Sequence, residues 1–377
     1  MKNILVDLSK TKNLYNGLGQ FSYSLGKAFI ELEKNQYIDD AFFTFLLPED
    51  KKILFPQHHW FRYGVASQKS SVPRFLRKWL DQDKTRYDIW HVTAQDARFW
   101  PICLKKQTNG NNQEIRPKIV YTIHDLNYVH LYTGLKLKYK LALIQKRINQ
   151  ADVITTISHF VAGEIRAHLC LKDKPLKVIY NGVTDFSKID LAPKKPLFPH
   201  KKPFFLSLGE LTLKKNFKVI LPLMTLMPEY DWVVAGKNET DDGNKMKREA
   251  QALGLADRVH FLGVVGEAER KWLYENCEAF LFPSLAEGFG LPVIEAMSFG
   301  KPVFLSNLTS LPEVAGSLGF YWADFSPEAM KSVLVAGLET YRSHGHFSAL
   351  LRAHAAQFSW QKAALAYADI YRTLMSY

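Results

Sequence analysis

The chain has 377 residues, of which 47% are hydrophobic and 13% aromatic, and this content excludes an intrinsically disordered protein. Its 49 basic and 37 acidic residues give a net charge of 49 − 37 = +12, which favours an acidic partner such as nucleic acid, an anionic membrane or a phosphorylated substrate. The sequence predicts neither a transmembrane helix nor a signal peptide. Three scattered cysteines, Cys103, Cys170 and Cys277, predict reduced side chains and therefore a cytoplasmic protein.

The first half of the sequence alternates short apolar runs with amphipathic stretches, a pattern that predicts parallel strands joined by helices. A loop containing Gly17 and Gly19 follows the first predicted strand and precedes an amphipathic helix. The fourth predicted strand, residues 119–123, ends on His124 and Asp125. The predicted strands are residues 4–8, 42–47, 89–92, 119–123, 153–157 and 177–180.

Residues 186–203 contain four prolines and no periodicity, and they are interpreted as an interdomain linker. A second alternating series follows, and a helix is expected from Trp360 to about Met375. Two Rossmann-like domains with a cleft between them, residues 1–185 and 204–358, are therefore predicted. The strands of the second series are residues 204–208, 232–235, 259–262, 279–282 and 303–305.

The most informative stretch joins the predicted strand 279–282 to a helix that is expected to begin at Pro292. A glycine turn before a helix N-terminus exposes backbone N–H groups that bind anions. Glu287 and Glu295 bracket this turn, so a nucleoside diphosphate with sugar hydroxyls at both ends is the inferred ligand. The alternative is that Glu295 is a solvated helix residue and that the glycines only form the turn.

Several candidate residues fall at the predicted carboxyl ends of strands, where ligands bind in such sheets. They are His124, Gly209, Glu287 and the loop that contains Gly17 and Gly19. Their common placement predicts one shared site.

Residues 284–303, S-L-A-E-G-F-G-L-P-V-I-E-A-M-S-F-G-K-P-V, resemble the donor-site signature of retaining glycosyltransferases with the GT-B fold, in particular glycosyltransferase family four. Further segments match that family in the same order, and the resemblance covers essentially the whole chain. These segments are residues 17–21, 122–126, 178–183, 208–216, 310–314 and 358–360. The resemblance implies two Rossmann-like domains with parallel sheets facing across a cleft, an acceptor-binding domain at 1–185 joined by a returning helix at 359–377, and a nucleotide-sugar domain at 204–358.

The resemblance also implies roles at matching positions. Lys215 would neutralise the charge on the departing diphosphate, Glu287 would bind hydroxyls of the donor sugar, and His124 would contact the transferred sugar. Glu295 would bind the ribose, and backbone N–H groups of residues 289–293 would meet the sugar and phosphate. The implied substrate-binding residues are Gly17, Gly19, Asp125, Gly209, Lys214, Gly288, Phe289, Gly290, Leu291, Pro292, Val293 and Glu295.

One position departs from the family pattern. Many relatives carry an arginine after the glycine of the phosphate loop, where this chain has Glu210. A carboxylate beside a diphosphate is repulsive, so either Glu210 points away or Lys214 supplies the second positive charge.

No metal or cofactor is expected. Asp81-Gln82-Asp83 spells a D-x-D motif, but it lies in a charged stretch and not at the end of an apolar strand. His58-His59 and the pair His344 and His346 lack carboxylate or cysteine partners at ligand spacing.

Two basic stretches, residues 69–86 and 135–148, mix lysine and arginine with apolar side chains. Such a mixture suits an anionic membrane surface, and it equally suits a solvated helix face.

The sequence thus predicts a retaining, metal-independent hexosyltransferase that moves mannose or a related hexose from a GDP- or UDP-sugar to a glycan or lipid-linked acceptor. Lipopolysaccharide or other surface-polysaccharide biosynthesis is the expected setting, with the protein cytoplasmic or peripheral on the inner face of the membrane and without nucleic acid as a partner. The alternatives are a basic nucleotide- or membrane-binding protein with a decayed site and a nucleotide-cofactor oxidoreductase. An oxidoreductase of that kind requires a G-x-G-x-x-G motif after a strand, and this sequence lacks it.

Overall fold

The computed structural model describes residues 2–34, 41–55, 61–65, 87–101, 107–108, 114–184, 186, 191–199 and 202–376. The chain divides into two compact units. The first unit consists of Met1–Ile157, Val161–Gly182 and Trp360–Tyr377. The second consists of Ser158–Phe160 and Val183–Ser359.

A parallel sheet with strand order β3-β2-β1-β4-β7-β8-β9 forms the centre of the first unit. Its strands are β1 (Lys2–Asp7), β2 (Ala41–Leu47), β3 (Phe61–Val65), β4 (Ile89–Val92), β7 (Lys118–Ile123), β8 (Val153–Thr156) and β9 (Leu176–Val178). Two short strands, β5 (Gln107–Thr108) and β6 (Glu114–Ile115), pair separately and antiparallel. β8 is buried along its length and β1 from Ile4 onward, because helices cover both faces of such a sheet.

The helices of the first half connect these strands in chain order. They are α1 (Gly17–Lys34), α2 (Tyr128–Leu131), α3 (Gly134–Gln150) and α4 (His159–His168). The last helix, α12 (Trp360–Met375), belongs to the first unit although it follows the second unit in sequence. It is fixed there by a buried polar contact, since the Tyr371 hydroxyl lies 2.6 Å from His91 Nδ1.

The second unit has a parallel sheet in the order β12-β11-β10-β13-β14-β15. Its strands are β10 (Phe204–Leu208), β11 (Asp231–Ala235), β12 (Val259–Gly263), β13 (Ala279–Phe282), β14 (Val303–Ser306) and β15 (Phe320–Trp322). Its helices are α5 (Ile220–Thr225), α6 (Asp241–Ala252), α7 (Glu267–Asn276), α8 (Leu291–Ser298), α9 (Leu311–Ala315), α10 (Pro327–Ser343) and α11 (Phe347–Ala355).

The strand order of each sheet places its central strands next to one another, so the carboxyl ends of β1, β4 and β7 share one edge, as do those of β10 and β13. Short 3-10 helices complete the described structure at Ser9–Lys12, Glu49–Leu54, Leu213–Lys215, Phe217–Val219 and Gly316–Leu318. No helix within the described ranges is both long and apolar enough to cross a membrane.

Two phenylalanines of the stretch interpreted as a linker pack on the second unit. Phe186 lies 5.2 Å, centroid to centroid, from Phe299, and Phe198 lies 5.8 Å from Phe204. Prolines gave this segment the composition of a linker, but its two phenylalanines bury apolar surface against the core of the second unit.

Candidate functional site

The turn between β13 and α8 is built around a glycine that no other residue can replace without strain. Gly290 has φ = +101°, and a Cβ atom there would lie 2.8 Å from Leu311 Cδ2. Pro292 occupies the first turn of α8, as the sequence predicts. The turn therefore presents the N-terminus of α8 beyond the carboxyl end of β13, with backbone N–H groups available for an anion.

Lys215 and Glu287 form an ion pair in this region. Lys215 Nζ donates to Glu287 Oε1 at 2.5 Å, and both side chains are 12% exposed. Burial lowers the pKa of Lys215 below its usual value even though Glu287 lies beside it. Burial alone would raise the pKa of Glu287, but Lys215 and Lys214 outweigh it and hold that pKa below its usual value. The carboxylate is thus kept ionised.

Hydrogen bonds fix the loop that carries Glu287. Ser284 Oγ donates to Glu287 Oε1 at 2.6 Å, and the Glu287 N–H donates to Thr309 Oγ1 at 3.1 Å. The Leu285 N–H donates to the carbonyl of Lys214 at 2.7 Å. The loop after β13 and the lysine segment after β10 are therefore held together by backbone and side-chain contacts.

Gly209 begins the lysine segment directly after β10. Its φ is +153°, and a Cβ atom there would lie 3.2 Å from Lys215 Cε, so the glycine leaves room for the lysine side chain. Glu210, the residue that departs from the family pattern, pairs with Lys237 at 3.4 Å and is half exposed. Its carboxylate is thus directed to a cation other than Lys215.

Glu295 lies on α8 and is only 4% exposed. Thr184 Oγ1 donates to its Oε1 at 3.0 Å, and the Tyr274 hydroxyl donates to its Oε2 at 2.9 Å. Arg270 Nη1 lies 3.8 Å from Oε1. The carboxylate is not a solvated helix residue.

The glycine loop of the first unit lies at the start of α1. A Cβ atom on Gly19 would lie 1.8 Å from the carbonyl oxygen of Asn13, whereas one on Gly17 would meet nothing within 4 Å. The Gly19 N–H donates to Asn16 Oδ1 at 2.8 Å. The group that approaches Gly19 most closely is therefore the preceding loop backbone.

His124 follows β7 and is buried. Its Nε2 lies 2.7 Å from the carbonyl of Thr93, and because a carbonyl can only accept, Nε2 carries the proton. Phe21 packs edge-on against the imidazole, and burial lowers the His124 pKa to about 4. His124 is therefore neutral near pH 7. Asp125 Oδ1 accepts from the Asn127 N–H at 3.2 Å, a contact that fixes the loop.

The structure gathers the predicted site residues into two groups, one in each unit. The second unit brings together Gly209, Lys214, Lys215, Glu287, Gly288, Phe289, Gly290, Leu291, Pro292, Val293 and Glu295. The first unit holds Gly17, Gly19, His124 and Asp125.

Metal ligands can be assessed only in the described part of the chain. Asp81, Asp83, His58 and His59 lie outside it. Over the described ranges, no group of three or more His, Cys, Asp or Glu side chains is placed to hold a metal ion.

Sequence reasoning missed the partners that orient the two glutamates. Ser284 stands three residues before Glu287, and Thr309 precedes the matched segment 310–314, so both lie beside motifs that the sequence had indicated. Thr184, Arg270 and Tyr274 carried no signal, because only the fold brings them to Glu295.

Two family models match the chain. The model for Glycosyl transferases group 1 matches residues 188–333, and that for Glycosyltransferase Family 4 matches residues 40–185. Together the two segments span most of the chain and both of its compact units.

Similar proteins include bacterial mannosyltransferases. The serotype-specific mannosyltransferase WbdA of Escherichia coli is 32% identical over 233 residues, which are 57% of this chain but only 28% of that relative's length. The O-antigen chain mannosyltransferase B of Escherichia coli is 26% identical over 274 residues, 68% of this chain and 71% of the relative. The O-antigen chain mannosyltransferase RfbU of Salmonella typhimurium is 27% identical over 67% of this chain and 71% of its own.

Solved structures share the architecture. Sucrose-phosphate synthase from Thermosynechococcus elongatus superposes with a TM-score of 0.74 at 18% identity and covers 100% of both chains. Anabaena Alr3699/HepE in complex with UDP-glucose superposes with a TM-score of 0.70 at 20% identity, also over 100% of both chains. These likenesses establish the fold.

Proposed function

The chain belongs to glycosyltransferase family four and has the GT-B fold, and we propose that it transfers a hexose from a nucleotide-sugar donor with retention at the anomeric carbon. The observation that carries this proposal is the arrangement of Lys215, Glu287 and the N-terminus of α8 beyond the adjacent strands β10 and β13. A fixed cation and a helix N-terminus suit a departing diphosphate, and a carboxylate beside them suits sugar hydroxyls.

In the proposed reaction the bond between the anomeric carbon and the diphosphate oxygen breaks first. Lys215 and the N–H groups of Phe289, Gly290 and Leu291 take up the charge that develops on the departing oxygen. The acceptor hydroxyl then attacks the anomeric carbon from the same face and gives its proton to the departing phosphate oxygen. Glu287 holds the sugar hydroxyls, and no protein nucleophile attacks the anomeric carbon.

The charges around Lys215, before and after a donor binds, fit this scheme. Without a donor the lysine is paired with Glu287 at 2.5 Å, and a diphosphate adds further negative charge beside it. Added negative charge raises the pKa of a buried lysine, so the donor itself favours the ammonium form. Because this cation can take the part that a metal ion plays elsewhere, we propose transfer without a metal, and turnover should be unchanged by a chelator.

The mannosyltransferase relatives support mannose or a related hexose as the transferred sugar and surface polysaccharide as its destination. GDP-mannose is the first donor to test, followed by UDP-hexoses, since one structural neighbour is in complex with UDP-glucose. A donor at 100 times its Kd stabilises the folded protein by about 2.7 kcal/mol, so a thermal-shift screen over GDP- and UDP-sugars ranks the candidates.

A lipid-linked acceptor would lie at a membrane, and the surface of helix α3 supports such a location for the reaction. Leu135, Tyr139 and Leu143 recur every fourth residue on α3 and are 85%, 64% and 43% exposed. Exposed lysines of α3 lie beside this stripe, and Lys136 Nζ lies 3.8 Å from the centroid of the Tyr132 ring. At the surface of an anionic bilayer the apolar stripe would leave water and the lysines would meet anionic lipids, so this face is better suited to such a surface than to solvent. We propose peripheral contact with the inner face of the cytoplasmic membrane through α3.

Vesicle co-sedimentation tests this contact. Wild-type protein should bind vesicles of phosphatidylglycerol and phosphatidylethanolamine and should not bind phosphatidylcholine vesicles. A Leu135→Ser, Tyr139→Ser double variant should lose most of the binding. The matched control is Leu197→Ser, another fully exposed leucine but outside α3, which should bind as wild type. Equal binding by the double variant would contradict the contact.

Acceptor-dependent transfer tests the function itself. Wild-type protein should transfer hexose to a lipid-linked glycan acceptor, and nuclear magnetic resonance of the product should show the anomeric configuration of the donor. Glu287→Ala and Lys215→Ala should each lower turnover by about 100-fold or more, the typical cost of losing a group that stabilises transition-state charge. Near wild-type turnover in both variants would contradict the site assignment, and inversion would contradict the mechanism.

A further inference from the structure

The environment of Glu295 is more elaborate than a ribose contact requires. Its carboxylate is 4% exposed and receives one hydrogen bond on each oxygen, from Thr184 Oγ1 at 3.0 Å and from the Tyr274 hydroxyl at 2.9 Å. Each carboxylate oxygen can accept two hydrogen bonds, so one acceptor direction on each oxygen is left over. A ribose cis-diol has two hydroxyls, one for each of these remaining acceptor positions.

Arg270 supplies the charge that makes this burial tolerable. An ionised carboxylate in a buried position costs several kcal/mol unless a cation compensates it. Arg270 Nη1 lies 3.8 Å from Glu295 Oε1, beyond hydrogen-bonding distance, while its Nε and Nη2 are buried without an acceptor within the described part of the chain. Its guanidinium also lies 5.0 Å from the centroid of the Phe186 ring. The arginine thus interacts with Glu295 through charge and not through a hydrogen bond.

Tyr274 links this carboxylate to the start of α8. Its hydroxyl lies 2.9 Å from Glu295 Oε2 and 3.2 Å from the carbonyl of Pro292. A hydroxyl has one proton, and the ionised acceptor is the stronger one, so the phenol donates to Glu295. Burial, followed by the nearby Glu295, raises the Tyr274 pKa well above its usual value, and the phenol remains a donor.

We propose that Arg270, Tyr274 and Thr184 are positioning residues that hold the Glu295 carboxylate oriented toward the ribose hydroxyls of the donor nucleotide. This inference rests on the proposed function, because it takes the nucleotide to bind along α8. None of the three residues needs to touch the nucleotide. They act by fixing the two acceptor directions of Glu295 that remain open, and thereby set the preference for ribose over deoxyribose.

The preference for ribose is measurable with nucleoside diphosphates alone. The dissociation constants of GDP and 2′-deoxy-GDP, or of UDP and its 2′-deoxy form, give a ratio that reports only the hydroxyl contact. Wild-type protein should bind the ribonucleotide about tenfold or more tightly, since hydrogen bonds to an ionised acceptor are the strong ones. Glu295→Gln should bring the ratio close to one. A wild-type protein that binds neither nucleotide would instead overturn the proposed function.

Tyr274→Phe and Arg270→Met should each lower the ratio at least threefold and leave the affinity for the deoxynucleotide near wild type. Combining Tyr274→Phe with Glu295→Gln should lower it no further than Glu295→Gln alone. The matched control is Tyr321→Phe, which removes another hydroxyl of the second unit, bonded to the Gly316 carbonyl. It should keep the wild-type ratio.

A wild-type ratio in Tyr274→Phe and Arg270→Met, with the ratio lost in Glu295→Gln, would overturn the positioning role while leaving the ribose contact intact. If either variant unfolds, Thr184→Val provides the same test on a partly exposed side chain, and a wild-type ratio there would count against the inference.

Discussion

Lys215 and Glu287, 72 residues apart in sequence, meet with Nζ 2.5 Å from Oε1 and with only 12% of each side chain exposed. The cation assigned to the diphosphate and the carboxylate assigned to the sugar therefore neutralise each other before a donor arrives. Ser284 and the carbonyl of Lys214 hold the two segments in this arrangement. A donor would enter a site whose charges are already in position, which lowers the cost of reorganisation during the reaction.

Removing one member of this ion pair should lower the free energy of unfolding more than removing both members. Lys215→Met leaves Glu287 as a buried charge without its partner, and we expect a loss of about 3 kcal/mol in the free energy of unfolding. Adding Glu287→Gln should restore most of that loss while activity stays low. Chemical denaturation gives the free energy of unfolding of the single and the double variant. Equal losses of stability in the two variants would contradict the coupling.

Two glycines in the first turn of α1 should respond differently to alanine. Gly19→Ala places a Cβ atom 1.8 Å from the Asn13 carbonyl oxygen and should displace the loop before α1. We expect a loss of a few kcal/mol in stability, as for other strained or overpacked sites, together with a large loss of activity. Gly17→Ala meets no atom within 4 Å and serves as the control for stability. A Gly19→Ala protein as stable as Gly17→Ala would contradict the packing described here.

The unusual Glu210 should have little effect on donor binding. It is half exposed and lies 3.4 Å from Lys237, so solvent and that lysine weaken the effect of its charge on the phosphate loop. Glu210→Gln should change the donor KM by less than about threefold, a value typical of exposed ion pairs. A tenfold fall in KM would show that the carboxylate repels the diphosphate.

The first unit should lose stability in mild acid. Burial lowers the pKa of His91 to about 3 and that of His124 to about 4, so the unfolded chain takes up these protons near pH 6.5 while the folded chain does not. Stability therefore falls as the pH drops from 6.5 toward 4. Burial raises the pKa of Asp7 to about 6, which opposes this trend, because the folded state binds that proton first. Between these pKa values the unfolded chain binds the two histidine protons and the folded chain binds the one Asp7 proton. The unfolded chain therefore holds one proton more, and the free energy of unfolding falls by about 1.4 kcal/mol per pH unit.

Midpoints of thermal unfolding at pH 7, 5.5 and 4.5 measure this dependence. His91→Gln should flatten the profile, and Asp7→Asn should steepen it because the opposing group is gone. A wild-type midpoint that is constant over this range would show that the two histidines are not held neutral by burial.

Most of the strands could be predicted because buried parallel strands are continuous apolar runs with clear ends. Ala279–Phe282 and Phe204–Leu208 match their predicted bounds. The short strand Phe320–Trp322 was missed, since three residues carry no periodicity. Composition also suggested a linker at 186–203, and it could not show that Phe186 and Phe198 would pack on the second unit.

The candidate site could be predicted only as far as its motifs extend. Glu287, Glu295 and the glycine turn carry a local pattern, because a turn with positive φ requires glycine at Gly290. The donors that orient the two carboxylates come from distant segments: Thr184 lies 111 residues from Glu295 in sequence, and its contact exists only after folding. Local sequence therefore indicates the ligand-binding groups, and the fold adds the residues that support them.

Release of nucleoside diphosphate from a sugar nucleotide tests the central claim most directly. Wild-type protein should release GDP or UDP slowly from at least one hexose nucleotide without an acceptor. Lys215→Met should release it about 100-fold to 1,000-fold more slowly, because the charge on the departing diphosphate is then unopposed. Lys218→Met, which removes an exposed lysine three residues further along the chain and outside the candidate site, serves as the control and should retain most of the activity. Equal rates for wild type and Lys215→Met, or no release from any GDP- or UDP-hexose, would contradict the account.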